Sequence, residues 1–139
     1  VRVIGLLVSG GTVLLVDQWS KSAVRVLGPD GCISYGHFLR IHRVANLNRI
    51  YRSVNIRRTM ALVWLLALAS AVVLHNSGSW FQGPAALIGL GLALGGAAGN
   101  LLDIWRHQFV VDFIDLGWWP VFNFADVSIV GGLLLAFWR

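Results

Sequence analysis

Two aspartates stand where carboxylates are costly. Asp112 lies in Val110-Val-Asp-Phe and Asp126 in Asn123-Phe-Ala-Asp, in the polar interlude before the last apolar run of a chain that is 57% hydrophobic and 12% charged. Charged side chains in or beside a bilayer are retained mainly for function. Two carboxylates brought to close range share a proton more readily than both ionise. One can then take a proton from water while its protonated neighbour polarises a peptide carbonyl, which is the chemistry of an aspartic protease.

The groups around the pair fit a support role. Asn100-Leu-Leu-Asp103 and Asn123-Phe-Ala-Asp126 are both Asn-x-x-Asp, a spacing that sets amide and carboxylate on one helical face. An Asn amide both donates and accepts, so it can orient a neighbouring carboxylate. Asp126, at the start of an apolar run, would also sit in the favourable field of a helix N-terminus. Asp17 and Lys21 are four residues apart and can pair on a continuing helix, which reads first as an anchor at the end of a span, with Trp19 in the interfacial aromatic belt.

The elements that position these residues are apolar. Stretches at 1–16, 59–75, 84–102 and 122–138 are at the short end of what a membrane helix needs. The first could serve as a signal peptide behind Arg2, but no small-residue cleavage site precedes Asp17. Gly91, Gly95 and Gly99 recur every four residues in the third run and predict close helix packing in lipid. Pro84 suits a first helical turn. Four alternating crossings bring Asp17, Asp103, Asp112, Asp115 and Asp126 to one membrane face. Over them lies segment 22–58, whose apolar alternations at 33–41 and 44–56 could supply strands, which predicts a small sheet or an amphipathic surface element on the interface. The 110–115 run also reads as a strand, with Asp112 and Ile114 on one face.

At 139 residues the chain is one domain. Its net charge of +5 comes largely from Arg40, Arg43, Arg49, Arg52, Arg57 and Arg58, a basic segment better suited to lipid headgroups than to nucleic acid. The lone Cys32 excludes an internal disulfide and reads as small apolar filler. His37, His42, His75 and His107 form no zinc-protease motif, no Gly-x-Ser-x-Gly is present, and no Gly-rich phosphate loop carries a lysine.

Taken jointly, Asp17-Gln-Trp-Ser-Lys21, Gly99-Asn-Leu-Leu-Asp103, Val110-Val-Asp-Phe-Ile-Asp115 and Phe122-Asn-Phe-Ala-Asp126 resemble the lipoprotein signal peptidases, or signal peptidase II. The resemblance implies a membrane all-α bundle of four transmembrane helices, with a small extracytoplasmic β-sheet between helices 1 and 2. It further implies an aspartic endopeptidase of the bacterial inner membrane, active at the extracytoplasmic face on prolipoproteins carrying a diacylglyceryl cysteine. In that reading Asp112 and Asp126 are catalytic. Asn46, Asn100, Asp103, Asn123, Asp17 and Lys21 bind substrate or support the site. Neither metal nor cofactor is implied, and the protein is expected to be a monomer among membrane lipids.

Two features depart from the family pattern. Where it has Asn-x-Gly-Ala-Ala-Phe, this chain has Asn46-Leu-Asn-Arg-Ile-Tyr51, and Ile104 stands where an arginine follows the third-run aspartate. The first departure motivates an alternative, a homologue that binds lipoprotein precursors or a peptide antibiotic without cleaving. Charge bias alone would put the Arg-rich segment in the cytoplasm, whereas the resemblance puts it outside.

Overall fold

The computed structural model describes residues 2–28, 30–46, 53–78 and 80–138. The element order is α1 (Arg2–Val26), β1 (Cys32–Tyr35), β2 (Leu39–Asn46), α2 (Val54–Asn76), α3 (Pro84–His107), β3 (Val110–Asp115) and α4 (Phe124–Phe137).

Three helices, Val3–Val26, Val54–Asn76 and Pro84–His107, are long and apolar enough to cross a membrane. On α1, α2 and α4 large apolar side chains face outward: Leu15 is 73% exposed, Leu66 65% and Leu134 67%. That inversion of the usual pattern is stable only against lipid. The fourth apolar run forms a shorter helix than the sequence predicts. With 14 residues, α4 rises about 21 Å, against a hydrocarbon core of about 30 Å. Conversely, α1 continues well past residue 16, so Asp17 and Lys21 lie within the helix rather than at its end.

α3 is the spine. Pro84 opens it behind Gly83, and Gln108 closes it in the left-handed conformation at φ 62°, its N–H donating to the Ile104 carbonyl. A Cβ on Gly95 would collide with the backbone of Gly10 in α1, whereas one on Gly89 would collide with that of Gly132 and Ala136 in α4. The glycine stripe thus has two sides, and it brings both neighbouring helices against α3. α2 is attached more lightly. Among its described residues only Ala71 is buried, and two polar contacts clasp it to α3. Trp64 donates its indole N–H to the Leu94 carbonyl at 3.0 Å, and Arg57 stacks over Trp105 at 5.9 Å.

The sheet has three antiparallel strands in the order β1-β2-β3. Only two of them come from the segment between α1 and α2; the third is the predicted 110–115 strand. The apolar run at 33–41 is broken by a turn with Gly36 at φ 65°, which makes a hairpin of one expected strand. Of the run at 44–56, residues 44–46 belong to β2, 47–52 lie outside the described residues, and Val54 already begins α2. Cys32 is exposed on β1, not filler in a core.

Candidate active site

The site forms where the C-terminal halves of α1 and α3 meet the N-terminus of α4 beneath β3. Asn123 is its hinge point. As N-cap of α4 it accepts the Asp126 backbone N–H through Oδ1 at 3.0 Å, and its own backbone N–H donates to Asp126 Oδ2 at 3.1 Å. This reciprocal capping box satisfies two of the donors a helix start leaves open. The Asn123 amide faces the other way: Nδ2 donates to Asp112 Oδ1 at 2.9 Å and to Asn100 Oδ1 at 3.0 Å. A single fully buried residue therefore touches both aspartates. Asn100 completes the arc by donating Nδ2 to Asp126 Oδ1 at 2.8 Å.

Below this arc lies a buried charge cluster. Lys21 has no exposed surface, and its three ammonium protons meet three acceptors: Asp17 Oδ2 at 2.8 Å, Asp103 Oδ2 at 3.0 Å and Asn100 Oδ1 at 2.9 Å. A buried ammonium is tolerable only with such complete pairing. Arg25 approaches Asp103 Oδ1 at 3.6 Å from a partly exposed position, so two cations balance two carboxylates. Both carboxylates also hold backbone. Asp17 Oδ1 accepts the Ala125 N–H at 3.0 Å, and Asp103 Oδ2 accepts the Val111 N–H at 3.3 Å. The cluster thereby fixes the start of α4 and the strand carrying Asp112.

Asp112, Asp126, Asn100, Asp103, Asn123, Asp17 and Lys21 are thus one connected network. The reading of Asp17 and Lys21 as an interfacial anchor is corrected: both are fully buried, and Asp17 is tied to α4. Asn46 ends β2 with its Cα opposite Val110; the rest of the divergent 46–51 stretch lies outside the described residues. Asp115 takes no part in the network. It pairs with Arg40 at 2.8 Å and accepts the Gly117 N–H at 2.7 Å, which fixes the exit from β3.

Sequence reasoning missed two participants. Gln18 donates to Asp17 Oδ2 at 3.3 Å, the Gly99 carbonyl at 3.2 Å and Asp103 Oδ1 at 3.2 Å. Its position inside the Asp17–Lys21 motif was the available signal. Gly99 was read as packing alone, yet a Cβ there would lie 2.5 Å from Asp17 Oδ2, so its bare backbone makes room for the carboxylate. Among the described residues, no group of three or more His, Cys, Asp or Glu side chains could hold a metal ion.

A groove of about 500 Å³ reaches this site from the side. α3 forms its floor through Ala93, Ala97 and Asn100, while α2 and α4 form its walls through Met60, Val63 and Ile129. It is almost wholly apolar, and Asn100, which orients Asp126, lies at one end.

These features define a membrane protein with a buried carboxylate–amide site opening onto an apolar groove. The family model described as signal peptidase (SPase) II matches residues 10–139, and the chain belongs to that family. A lipoprotein signal peptidase of Moorella thermoacetica is 34% identical over 139 residues, covering 91% of this chain and 86% of that one. One from Mycolicibacterium smegmatis is 36% identical over 141 residues, covering 94% of this chain and 58% of its own. One from Syntrophomonas wolfei is 52% identical over 71 residues, or 50% of this chain and 47% of the relative. The chain thus spans about half the length of two of these relatives and most of the third. A bacterial membrane enzyme solved in meso at 1.9 Å shares the fold, with a TM-score of 0.78 at 23% identity over 94% of this chain and 88% of that one.

Proposed function

We propose that the chain is an aspartic endopeptidase that removes signal peptides from bacterial prolipoproteins at the diacylglyceryl cysteine, with Asp112 and Asp126 as the catalytic pair. The observation that carries this reading is Asn123, which bonds the Asp112 carboxylate through its amide and the Asp126 carboxylate through its backbone at 2.9 and 3.1 Å. Two carboxylates tied to one rigid residue are preorganised for a shared reaction.

The chemistry then needs no further group. One carboxylate takes a proton from water as the water oxygen attacks the scissile carbonyl carbon. The other, carrying a proton, donates to the carbonyl oxygen. Collapse of the tetrahedral intermediate breaks the C–N bond, and the departing nitrogen takes a proton from the pair. Asn100 and Asn123 hold the carboxylates in place, and the Lys21 cluster holds the asparagines and the helix end.

In this reading all four helices cross the inner membrane. α4 spans with help from the residues flanking it, and the site and sheet face outward. The enzyme works as a monomer among lipids, without metal, cofactor or nucleic acid. The family relationship and the apolar groove beside Asn100 support a lipid-modified substrate. A binding-only homologue rests on the divergent 46–51 sequence, and the complete carboxylate–amide network speaks against it. Cleavage of a lipidated precursor peptide by the purified wild type decides between them: turnover establishes the peptidase, and tight binding without turnover establishes the alternative.

A further inference from the structure

Trp64 stands between two cavities. It lines the 500 Å³ groove that ends at Asn100, and it also lines a second groove of about 230 Å³ behind it, between α1, α2 and α3. The rear groove is formed by Leu14, Leu68, Gly95 and Ala98, among others, and no charged or amide side chain lines it. Nothing there could act on a substrate. The bond from the Trp64 indole to the Leu94 carbonyl, 3.0 Å long, fixes the ring across the seam between α2 and α3. Leu94 itself lines both grooves, so ring and carbonyl together form the partition.

The size of the front groove selects its occupant. A 20-residue helix about 10 Å across and 30 Å long fills roughly 2,400 Å³, several times what is available. The lining is apolar, with the small side chains of Ala67, Ala93 and Ala97 leaving room, and it joins the carboxylate network through Asn100. The space is on the scale of an acyl chain, and a whole helix would protrude from it.

We infer that the front groove holds an acyl chain of the lipid-modified substrate and that Trp64 is a specificity-determining residue, the stop that limits how long or bulky that chain can be. This rests on the lipoprotein peptidase reading above. Removing the indole would join the two grooves and admit a longer chain. Filling the rear groove would undo that gain, because Ala98 lines only the rear space.

The test is cleavage of lipopeptides that differ only in acyl-chain length, by wild type, Trp64→Ala, the milder Trp64→Leu, Ala98→Leu and the double variant W64A/A98L. The readout is kcat/KM for the longest chain relative to the shortest. Trp64→Ala should raise this ratio roughly tenfold, the scale at which an apolar pocket discriminates by size. Trp64→Leu should move it in the same direction, the double variant should restore the wild-type ratio, and Ala98→Leu alone should leave it unchanged. A folded Trp64→Ala or Trp64→Leu protein that keeps the wild-type ratio overturns the role of Trp64 and leaves the peptidase reading intact. A wild type that cleaves none of the series overturns both.

Discussion

Asp17 on the first helix caps the last one: its Oδ1 accepts the backbone N–H of Ala125 at 3.0 Å, across 108 residues of sequence. The same carboxylate receives Lys21 at 2.8 Å through Oδ2. The helix that begins with the Asn123–Asp126 capping box is therefore held from outside as well as from within. α3 carries the packing of α4, and the bond from α1 adds a fixed point at its first turn, next to Asp126.

Loss of either carboxylate of the proposed catalytic pair should abolish turnover without unfolding the protein. Both Asp112→Asn and Asp126→Asn preserve side-chain shape; the oxygen at 112 can still accept from Asn123, while the one at 126 can keep one of the two bonds from Asn100 and the Asn123 backbone. Each should nevertheless lower kcat by at least about 10²–10⁴-fold, the usual contribution of general acid–base catalysis. Single-turnover assays on a lipidated peptide, with thermal unfolding in detergent as the control, check both halves. Wild-type rates in either variant would remove that aspartate from the mechanism.

Lys21 should matter for stability before it matters for chemistry. Its replacement by Met leaves Asp17 and Asp103 facing each other in a fully buried pocket without their shared cation. Breaking one partner out of a buried pair costs about 3–5 kcal/mol. Lys21→Met should lower the unfolding midpoint well below the wild type. The double variant Lys21→Met with Asp103→Asn should recover part of the loss, because it removes one stranded charge. Equal midpoints for all three proteins would show that the cluster is dispensable.

Much of this network was legible in the sequence, and its limits have physical causes. The i,i+4 spacing predicted the Asp17–Lys21 pair, and the two Asn-x-x-Asp elements predicted amide support for the carboxylates. The end of α1 was misplaced because charged residues normally stop a membrane helix. Here Lys21 finds all three acceptors inside the protein, so the helix carries it without exposure to lipid. The bonds from Asp17 to Ala125 and from Asp103 to Val111 use backbone N–H groups, which every residue type except proline offers and no motif marks. The hairpin at Gly36 was hidden because a long apolar alternation reads the same whether or not one glycine turns it back. Membership of β3 in the sheet depends on pairing across more than 60 residues, with Ala45 opposite Val111, and a local pattern does not encode a partner.

Gly99 separates packing from chemistry within one glycine stripe. A methyl group there would meet Asp17 Oδ2 at 2.5 Å, whereas one on Gly131 of α4 would meet nothing within 4 Å. Gly99→Ala should therefore destabilise by about 1–3 kcal/mol, as overpacking usually does, and should lower activity by displacing Asp17 from Ala125. Gly131→Ala should be neutral, or stabilising by roughly the 0.5–1 kcal/mol that a helical glycine costs relative to alanine. Paired unfolding and cleavage measurements on the two variants test this contrast, and equal effects would show that the Asp17 contact does not constrain position 99.

Sidedness rests on Cys32, the one thiol in the chain and an exposed one on β1. If the sheet lies outside the inner membrane, a membrane-impermeant maleimide applied to intact spheroplasts should label it fully. Inverted vesicles should label it only after lysis. The reverse pattern would place the sheet and the carboxylate site in the cytoplasm, where the positive-inside rule alone would put the arginines around them.

Asn123 does two jobs that substitution can separate. As N-cap it accepts the Asp126 N–H at 3.0 Å, and as bridge it donates to Asp112 at 2.9 Å and Asn100 at 3.0 Å. Serine caps a helix about as well as asparagine, whereas alanine costs about 1 kcal/mol at that position. Serine has only a short hydroxyl, which cannot cap Asp126 and also span to Asp112 and Asn100. Asn123→Ser should therefore be the more stable of the two variants, retaining the capping contribution that Asn123→Ala loses. Both should lose activity alike, by roughly a hundredfold in kcat, the scale of a misplaced catalytic group, with little change in KM. If serine restored activity as well as stability, capping alone would explain why asparagine stands here, and the bridge between the two aspartates would have no catalytic part.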